Sequence, residues 1–172
     1  MAHPGHLIRR FFGSLVPGGP RAADTEWAMA QLTMGEQDLW RRMSGADRRH
    51  AAGVARRVDA AFDGTAERPV LAAALLHDVG KVESGLGTYG RVVATLSAAV
   101  AGHDQAEAWS QTRGFTRRVG LYLLHPQLGG DLLELAGSDP LTAAWAREHH
   151  LPDDQWTVDP TVGHILKDAD DD

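Results

Sequence analysis

The chain has 172 residues and a net charge of −6 at neutral pH. This length suits a single domain with a substantial core, and the acidic balance argues against a protein that binds extended nucleic acid or an anionic membrane surface. The chain has no cysteine, which excludes disulfides and thiolate metal ligands. Because residues 1–20 hold no continuous apolar leader and no run approaches about 18 apolar residues, we expect a cytoplasmic protein without a membrane segment.

The first part of the chain divides into an extension and a helical body. Residues 1–23 carry two proline–glycine breaks and are predicted to be an N-terminal extension. Residues 24–172 are predicted to form one domain. Within it, residues 24–43 favour two helices, with Asp24 as N-cap and a break at Gly35.

A clear amphipathic helix follows over residues 46–62. Its apolar side chains recur near the helical period, and arginines occupy the other faces. His50 lies one turn before Val54 and so points toward the apolar side. A single histidine in such a position is usually a hydrogen-bonded core residue.

The segment around His77 and Asp78 is the centre of the sequence argument. An apolar run predicts a buried helix over residues 67–81, ended by Gly80. That helix presents an imidazole and a carboxylate side by side, and these offer nitrogen and oxygen ligands to a divalent metal. The adjacent ammonium of Lys81 can hold a phosphate oxygen as a point charge.

The next segments carry weaker signals. The glycine-rich loop 82–90 lacks the Gly-Lys-Ser/Thr ending of a phosphate-binding P-loop. Arg91 beyond it is a candidate second phosphate contact, although a solvated surface position is the favoured interpretation. A second histidine–aspartate pair, His103 and Asp104, is expected to have no site role, with Asp104 as the N-cap of a helix.

The second half of the chain contains frequent helix starts. Asp139 and Asp159 are each followed by proline, which predicts an N-cap and a first-turn residue. His125 is placed at the N-cap of a helix over 127–136. Gly129 within that helix favours the close approach of another backbone. No segment alternates in the manner of a strand, so the sequence predicts an all-α bundle.

Several chemistry-bearing side chains fall near helix ends or on apolar faces. Nitrogen and oxygen donors without sulfur suit Fe, Mn, Ni, Zn or Mg. With Asp78 bridging, the set is large enough for two divalent ions that keep open positions. The candidates are His50, His77, Asp78, His125, His149, His150 and one aspartate of the last helix.

This pattern resembles the HD-domain superfamily of metal-dependent phosphohydrolases. His50 matches the first histidine, and His77-Asp78 matches the signature pair in its His-Asp-x-Gly-Lys form. Asp170 matches the closing aspartate, with Asp168 as runner-up. The resemblance covers residues 47 to 170 approximately and implies an HD-domain helical bundle.

Further histidines resemble those of the binuclear branch, which includes the HD-GYP phosphodiesterases. The Gly-Tyr-Pro loop of that group is missing after His150, which argues against a cyclic dinucleotide substrate, and Ala46 replaces the carboxylate of a third metal site. The resemblance implies two ions. One would be held by His50, His77, Asp78 and Asp170, and the other by Asp78, His125 and one or both of His149 and His150.

The resemblance implies hydrolysis of a phosphate ester or anhydride in a small, nucleotide-like substrate by a metal-activated water. Asp78 and Lys81 are the expected catalytic residues. Two alternatives remain open at this point. The same ligand set serves mixed-valent diiron oxygenases of this fold, and an HD fold can also serve as a non-enzymatic signalling module.

Overall fold

The computed structural model describes residues 18–87, 90, 94, 97 and 102–171. The predicted extension up to residue 17 and the candidate Arg91 lie outside these residues. The described part contains nine α-helices and no strand, which confirms the all-α prediction. The helices are Ala22–Ala30 (α1), Met34–Arg42 (α2), Gly45–Ala61 (α3), Arg68–Leu76 (α4), His103–Ser110 (α5), Gly114–Leu123 (α6), His125–Leu135 (α7), Pro140–Glu148 (α8) and Pro160–Asp171 (α9).

Helix α4 forms the centre of the core. Every residue from Val70 to Leu76 is buried, and α2, α3, α8 and α9 all pack against it. Its three consecutive alanines have no side chain beyond Cβ, so neighbouring helices can approach closely on all sides. The prediction of a central buried helix with Pro69 in its first turn is confirmed.

The end of α4 differs from the prediction. The α-helix stops at Leu76 rather than continuing to residue 81, and the chain passes through a turn at His77 and Asp78 into a 3-10 helix, Val79–Ser84. The ring nitrogen Nδ1 of His77 donates a hydrogen bond to the carbonyl oxygen of Ala74 in the last turn of the helix, where carbonyl groups commonly lack helical partners. The His77-Asp78 pair therefore lies in a buried turn that follows the central helix.

The break between α1 and α2 also lies elsewhere than predicted. The chain leaves the helix at Gln31, and Thr33 starts α2 with a capping box to Glu36. Gly35 is inside the first turn of α2, where a Cβ atom would lie 2.5 Å from the carbonyl oxygen of Ala136. This glycine therefore permits close packing on the end of α7 and is not a helix break.

Helix starts based on aspartate and proline are confirmed twice. Asp139 Oδ1 accepts a hydrogen bond from the backbone of Leu141 at 2.9 Å, and Asp159 Oδ1 accepts one from Thr161 at 2.9 Å. The predicted caps at Asp24 and Asp104 are wrong, because α1 and α5 begin after Arg21 and Gly102 and the two aspartates lie in the first turns. Carboxylates there still interact favourably with the helix dipole.

None of the helices in the described part of the chain combines the length and apolar character needed to cross a bilayer.

Candidate metal centre

Three buried histidines make the same local hydrogen bond close to the end of a helix. His77 and His149 directly follow the last residues of α4 and α8, and His125 lies two residues after the end of α6. The prediction of His125 as the N-cap of the next helix is wrong, because it is the first residue of α7 and Leu124 is the N-cap. In each case Nδ1 donates to the carbonyl oxygen three residues earlier, at 2.9, 2.7 and 3.0 Å respectively. Since Nδ1 carries the proton, the neutral imidazole keeps the lone pair on Nε2.

These Nε2 atoms converge on one carboxylate. Oδ2 of Asp78 lies 3.4 Å from His77 Nε2. Oδ1 lies 3.3 Å from His125 Nε2 and 3.8 Å from His149 Nε2. All three nitrogens are buried and make no hydrogen bond within the described residues. A buried nitrogen that lacks a partner is costly. Three of them around a carboxylate could serve as metal ligands, and their orientation is fixed by the hydrogen bonds of their rings to the backbone.

His50 and Asp170 complete the side of the cluster near His77. His50 belongs to α3 and Asp170 to α9. His50 Nε2 lies 2.8 Å from Asp170 Oδ1, and this oxygen lies 3.6 Å from His77 Nε2. Asp170 is buried whereas Asp168 is exposed. Of the two candidate aspartates in the last helix, the structure brings Asp170 into the cluster.

His150 completes the opposite side. The centroid of its ring lies 4.0 Å from that of His149 and 5.3 Å from that of His125. It is the exposed residue of its ligand group. Burial by the surrounding protein and the nearby His125 lower the pKa of His150 to about 3. Its imidazole is therefore neutral at physiological pH, the form that binds a metal.

Two overlapping groups of side chains are close enough to hold an ion. The first joins His50, His77 and Asp78, and the second joins Asp78 with three histidines of the chain's second half. Within each group, one donor atom per residue lies within 4.8 Å of the others. The buried His and Asp side chains can therefore hold metal, and Asp78 is common to both groups. The second group consists of Asp78, His125, His149 and His150.

The electrostatics of the cluster keep Asp78 ionised. Burial alone would raise its pKa, but the Lys81 ammonium, which pairs with Oδ2, and the neighbouring His77 hold the pKa of Asp78 well below its usual range. Burial lowers the pKa of His125, and that of His149 still further. Burial would lower the pKa of His77, but the carboxylates of Asp78 and Asp170 raise it. An anionic carboxylate beside the neutral imidazoles of His125 and His149 is a donor set that borderline divalent ions bind.

A close contact between two backbones brings the halves of the cluster together. A Cβ on Gly80 would overlap the carbonyl oxygen of His125 and lie 2.6 Å from the amide nitrogen of Gly129. Conversely, a Cβ on Gly129 would lie 3.2 Å from the Gly80 nitrogen. The predicted close approach at Gly129 is confirmed, and its partner is the turn that carries Asp78. Helix α7 thus begins with His125 against the His-Asp pair.

The second histidine–aspartate pair differs from the first in its burial and in its neighbours. His103 and Asp104 are both exposed at the start of α5 and belong to neither ligand group. The two pairs have the same composition, so burial and long-range neighbours distinguish them.

Sequence reasoning missed a buried carboxylate that orders the segment after His150. Glu148 accepts hydrogen bonds from the backbone nitrogen of Thr157 at 2.7 Å and from its hydroxyl at 2.5 Å. The indole nitrogen of Trp156 donates to the backbone oxygens of Glu148 and Leu151, both at 3.1 Å. Residues 148–157 therefore form a closed loop that begins beside the two histidines. In the sequence, the only sign of this loop is that Glu148 directly precedes the two histidines.

Replacing Glu148 with glutamine tests this loop. The amide keeps one acceptor oxygen but turns an NH2 group toward donors on Thr157, so we expect the free energy of unfolding to fall by about 2 kcal/mol. Glu134→Gln is the matched control, because Glu134 is an exposed partner of Arg147 and should cost less than about 1 kcal/mol. Urea unfolding measures both. Equal losses in the two variants would contradict a special role for Glu148.

Comparison of the chain with protein-family models, curated proteins and solved structures finds no match in any of the three.

Proposed function

We propose that this protein is a binuclear metal-dependent phosphohydrolase. The observation that carries the proposal is the convergence of three buried, backbone-oriented imidazole nitrogens on the carboxylate of Asp78. Such an arrangement has a high energetic cost in a protein that never binds a cation. The order of the same residues along the chain, resembling the HD-domain pattern, supports the assignment.

The residues divide naturally between two ions. Asp78 lies between the two groups and would bridge them, and each remaining donor lies on one side only. One ion would be held by His50, His77, Asp78 and Asp170, and the other by Asp78, His125, His149 and His150. Imidazole and carboxylate donors suit Fe, Mn, Ni, Zn or Mg, with imidazole favouring Fe, Ni and Zn.

Bound divalent ions would supply an activated water and neutralise charge on the phosphate oxygens. The protein's part is orientation and electrostatics. Asp78 stays anionic because Lys81 and His77 depress its pKa. The Lys81 ammonium, which pairs with Asp78, places a positive charge beside the cluster that would stabilise the charge developing on a phosphoryl group.

The proposed substrate is a small phosphorylated compound of nucleotide type. The net negative charge of the chain disfavours extended nucleic acid. Leu151 and Pro152 follow His149 and His150. A cyclic dinucleotide phosphodiesterase of the HD-GYP group would have a Gly-Tyr-Pro loop at this place.

Metal content and a phosphate-release screen test the proposal together. Protein purified without added metal is analysed for metal per chain, then assayed with nucleotides, dinucleoside polyphosphates and aryl phosphates, with O₂ uptake measured in parallel. We expect about two ions per chain and phosphate release that chelation abolishes. Iron with O₂ consumption and no phosphate release would favour the oxygenase. A protein that takes up no metal on titration would refute both enzymes.

Replacing His125 with alanine tests the two-ion arrangement. This histidine belongs to the second ligand group only, so we expect the metal stoichiometry to fall from about two toward one per chain. His164→Ala is the control, because its side chain is exposed and in neither group, and it should retain the full metal content. An unchanged stoichiometry in His125→Ala would indicate a mononuclear site.

A further inference from the structure

Tyr122 contacts the metal centre but belongs to neither ligand group. It lies in the last turn of α6, and its backbone oxygen accepts the hydrogen bond from His125 Nδ1 at 2.7 Å. The centroid of its ring lies 5.6 Å from that of the His125 imidazole, with the two planes tilted by 36°. Tyr122 therefore meets a proposed ligand through its backbone and through its ring.

The same ring also lies next to Lys81. The ammonium nitrogen of Lys81 is 5.8 Å from the ring centroid, within the range of a cation–π interaction. Lys81 pairs with Asp78, and Oδ1 of Asp78 lies 3.3 Å from His125 Nε2. Four side chains thus contact one another in a closed ring. Tyr122 is the member of this ring that the proposed function does not yet use.

Packing outside the metal centre holds the Tyr122 ring in place. The ring packs, with Trp109, against a small apolar cluster that contains Leu86 and Val119 and is separate from the main core. A Cβ on Gly120 would overlap the backbone nitrogen of Ser110, so α5 and α6 are in backbone contact beneath this cluster. A side chain fixed in this way has little rotamer freedom left to lose when it binds a ligand.

The hydroxyl of Tyr122 faces solvent. It makes no hydrogen bond to any residue that the structure describes, and it is not among the buried polar atoms that lack a partner. The residue as a whole is half-buried. Its apolar ring is therefore packed while its polar tip is accessible, an arrangement common for tyrosine. A phenol in this position can donate one hydrogen bond to a ligand.

Solvent approaches the second ligand group beside this hydroxyl. Within the described residues, three rings lie next to the buried His125 ring, namely those of His149, His150 and Tyr122. His149 is buried as well, whereas His150 is exposed and Tyr122 is partly exposed. The side of His125 that is open to solvent is therefore bordered by His150 and Tyr122.

We propose that Tyr122 is a further substrate-contacting residue, whose hydroxyl donates a hydrogen bond to an oxygen of a tetrahedral oxyanion bound at the second ligand group. This inference rests on the proposed phosphohydrolase function and deepens it. A hydrogen bond from a phenol to an anionic oxygen is charge-assisted and stronger than one between neutral groups. Lys81 contributes charge near the phosphoryl group, and Tyr122 contributes a directional donor.

Binding of methylphosphonate tests the contact without relying on turnover, because hydrolysis of a phosphate ester does not act on its carbon–phosphorus bond. The anion is titrated calorimetrically into the metal-loaded full chain, with the same metal in the buffer. Tyr122→Phe removes the hydroxyl and keeps the ring beside Lys81 and His125. We expect this variant to bind methylphosphonate about tenfold more weakly, with unchanged metal content and Tm.

A spectroscopic signature and a control variant make the result specific. The chain has two tyrosines, and we expect an ultraviolet difference band of the phenol on addition of methylphosphonate that is missing in Tyr122→Phe. Thr116→Val removes an exposed hydroxyl from the first turn of the same helix and should bind the anion normally. Normal methylphosphonate binding by Tyr122→Phe, or a loss that follows a loss of metal, would overturn the contact.

Hydrolysis assays on the same proteins separate this inference from the function beneath it. Selective loss of methylphosphonate binding in Tyr122→Phe, with no hydrolysis of any phosphate compound by the unaltered protein, would leave the contact standing and refute the phosphohydrolase. Hydrolysis of phosphate compounds with the same KM and kcat in Tyr122→Phe, and the same affinity for methylphosphonate, would leave the phosphohydrolase standing and refute the contact.

Discussion

We expect the replacement of Asp78 with asparagine to disrupt metal binding on both sides of the cluster. The asparagine side chain has the same shape but a neutral oxygen and an NH2 group, so it removes the one donor that both ligand groups share. We expect the apparent metal affinity to fall more than about 100-fold, since even loss of a hydrogen-bonding partner behind a ligand costs 10–100-fold. Metal content after desalting measures the loss directly.

Thermal unfolding provides a second measurement of the same effect. A metal at about 100 times its Kd stabilises the folded chain by about 2.7 kcal/mol, and this metal-dependent rise in Tm should vanish in Asp78→Asn. Asp104→Asn is the matched control, because it makes the same change in the exposed histidine–aspartate pair at the start of α5. Full metal content in Asp78→Asn would disprove the central role of this carboxylate.

Replacing Gly80 with alanine separates the two halves of the site without altering any ligand. The added Cβ overlaps the carbonyl oxygen of His125 and lies 2.6 Å from the nitrogen of Gly129, and both atoms belong to backbone that cannot rotate away. Helix α7 must therefore move. We expect a loss of about 3 kcal/mol or more in unfolding free energy, comparable with severe overpacking, together with weakened metal binding by His125.

Gly87→Ala is the control for Gly80→Ala. Among the residues that the structure describes, no heavy atom beyond the chain neighbours lies within 4 Å of a Cβ at Gly87, and its backbone does not need a left-handed conformation. The change should therefore alter stability by less than about 1 kcal/mol. Circular dichroism during urea unfolding gives the two free energies. If Gly80→Ala matched Gly87→Ala in stability and metal content, the backbone contact would not be what joins the two halves.

Local signals in the sequence were sufficient for much of the helical framework. An aspartate followed by proline satisfies helix-end donors through neighbours two or three residues away, so Asp139 and Asp159 could be recognised without knowledge of the fold. The apolar run of α4 likewise required burial in any all-α arrangement. The residue types at helix ends also identified the histidines that the structure brings together around Asp78.

Features that depend on distant partners could not be found in this way. Gly35 and Gly80 read as helix breaks, because the backbones of α7 that they accommodate are far away in sequence. The α-helix was extended past Leu76 for the same reason.

The contact between His50 and Asp170 joins residues 120 positions apart in the chain. An ion bound between α3 and α9 would therefore act as a reversible cross-link that closes a very long loop, and most of the entropy it removes would belong to the unfolded ensemble. Each ligand group draws on more than one helical element, so local fraying of one of them would release the ion. Metal occupancy would then report on the integrity of the bundle, and chelation would ease local opening at α9.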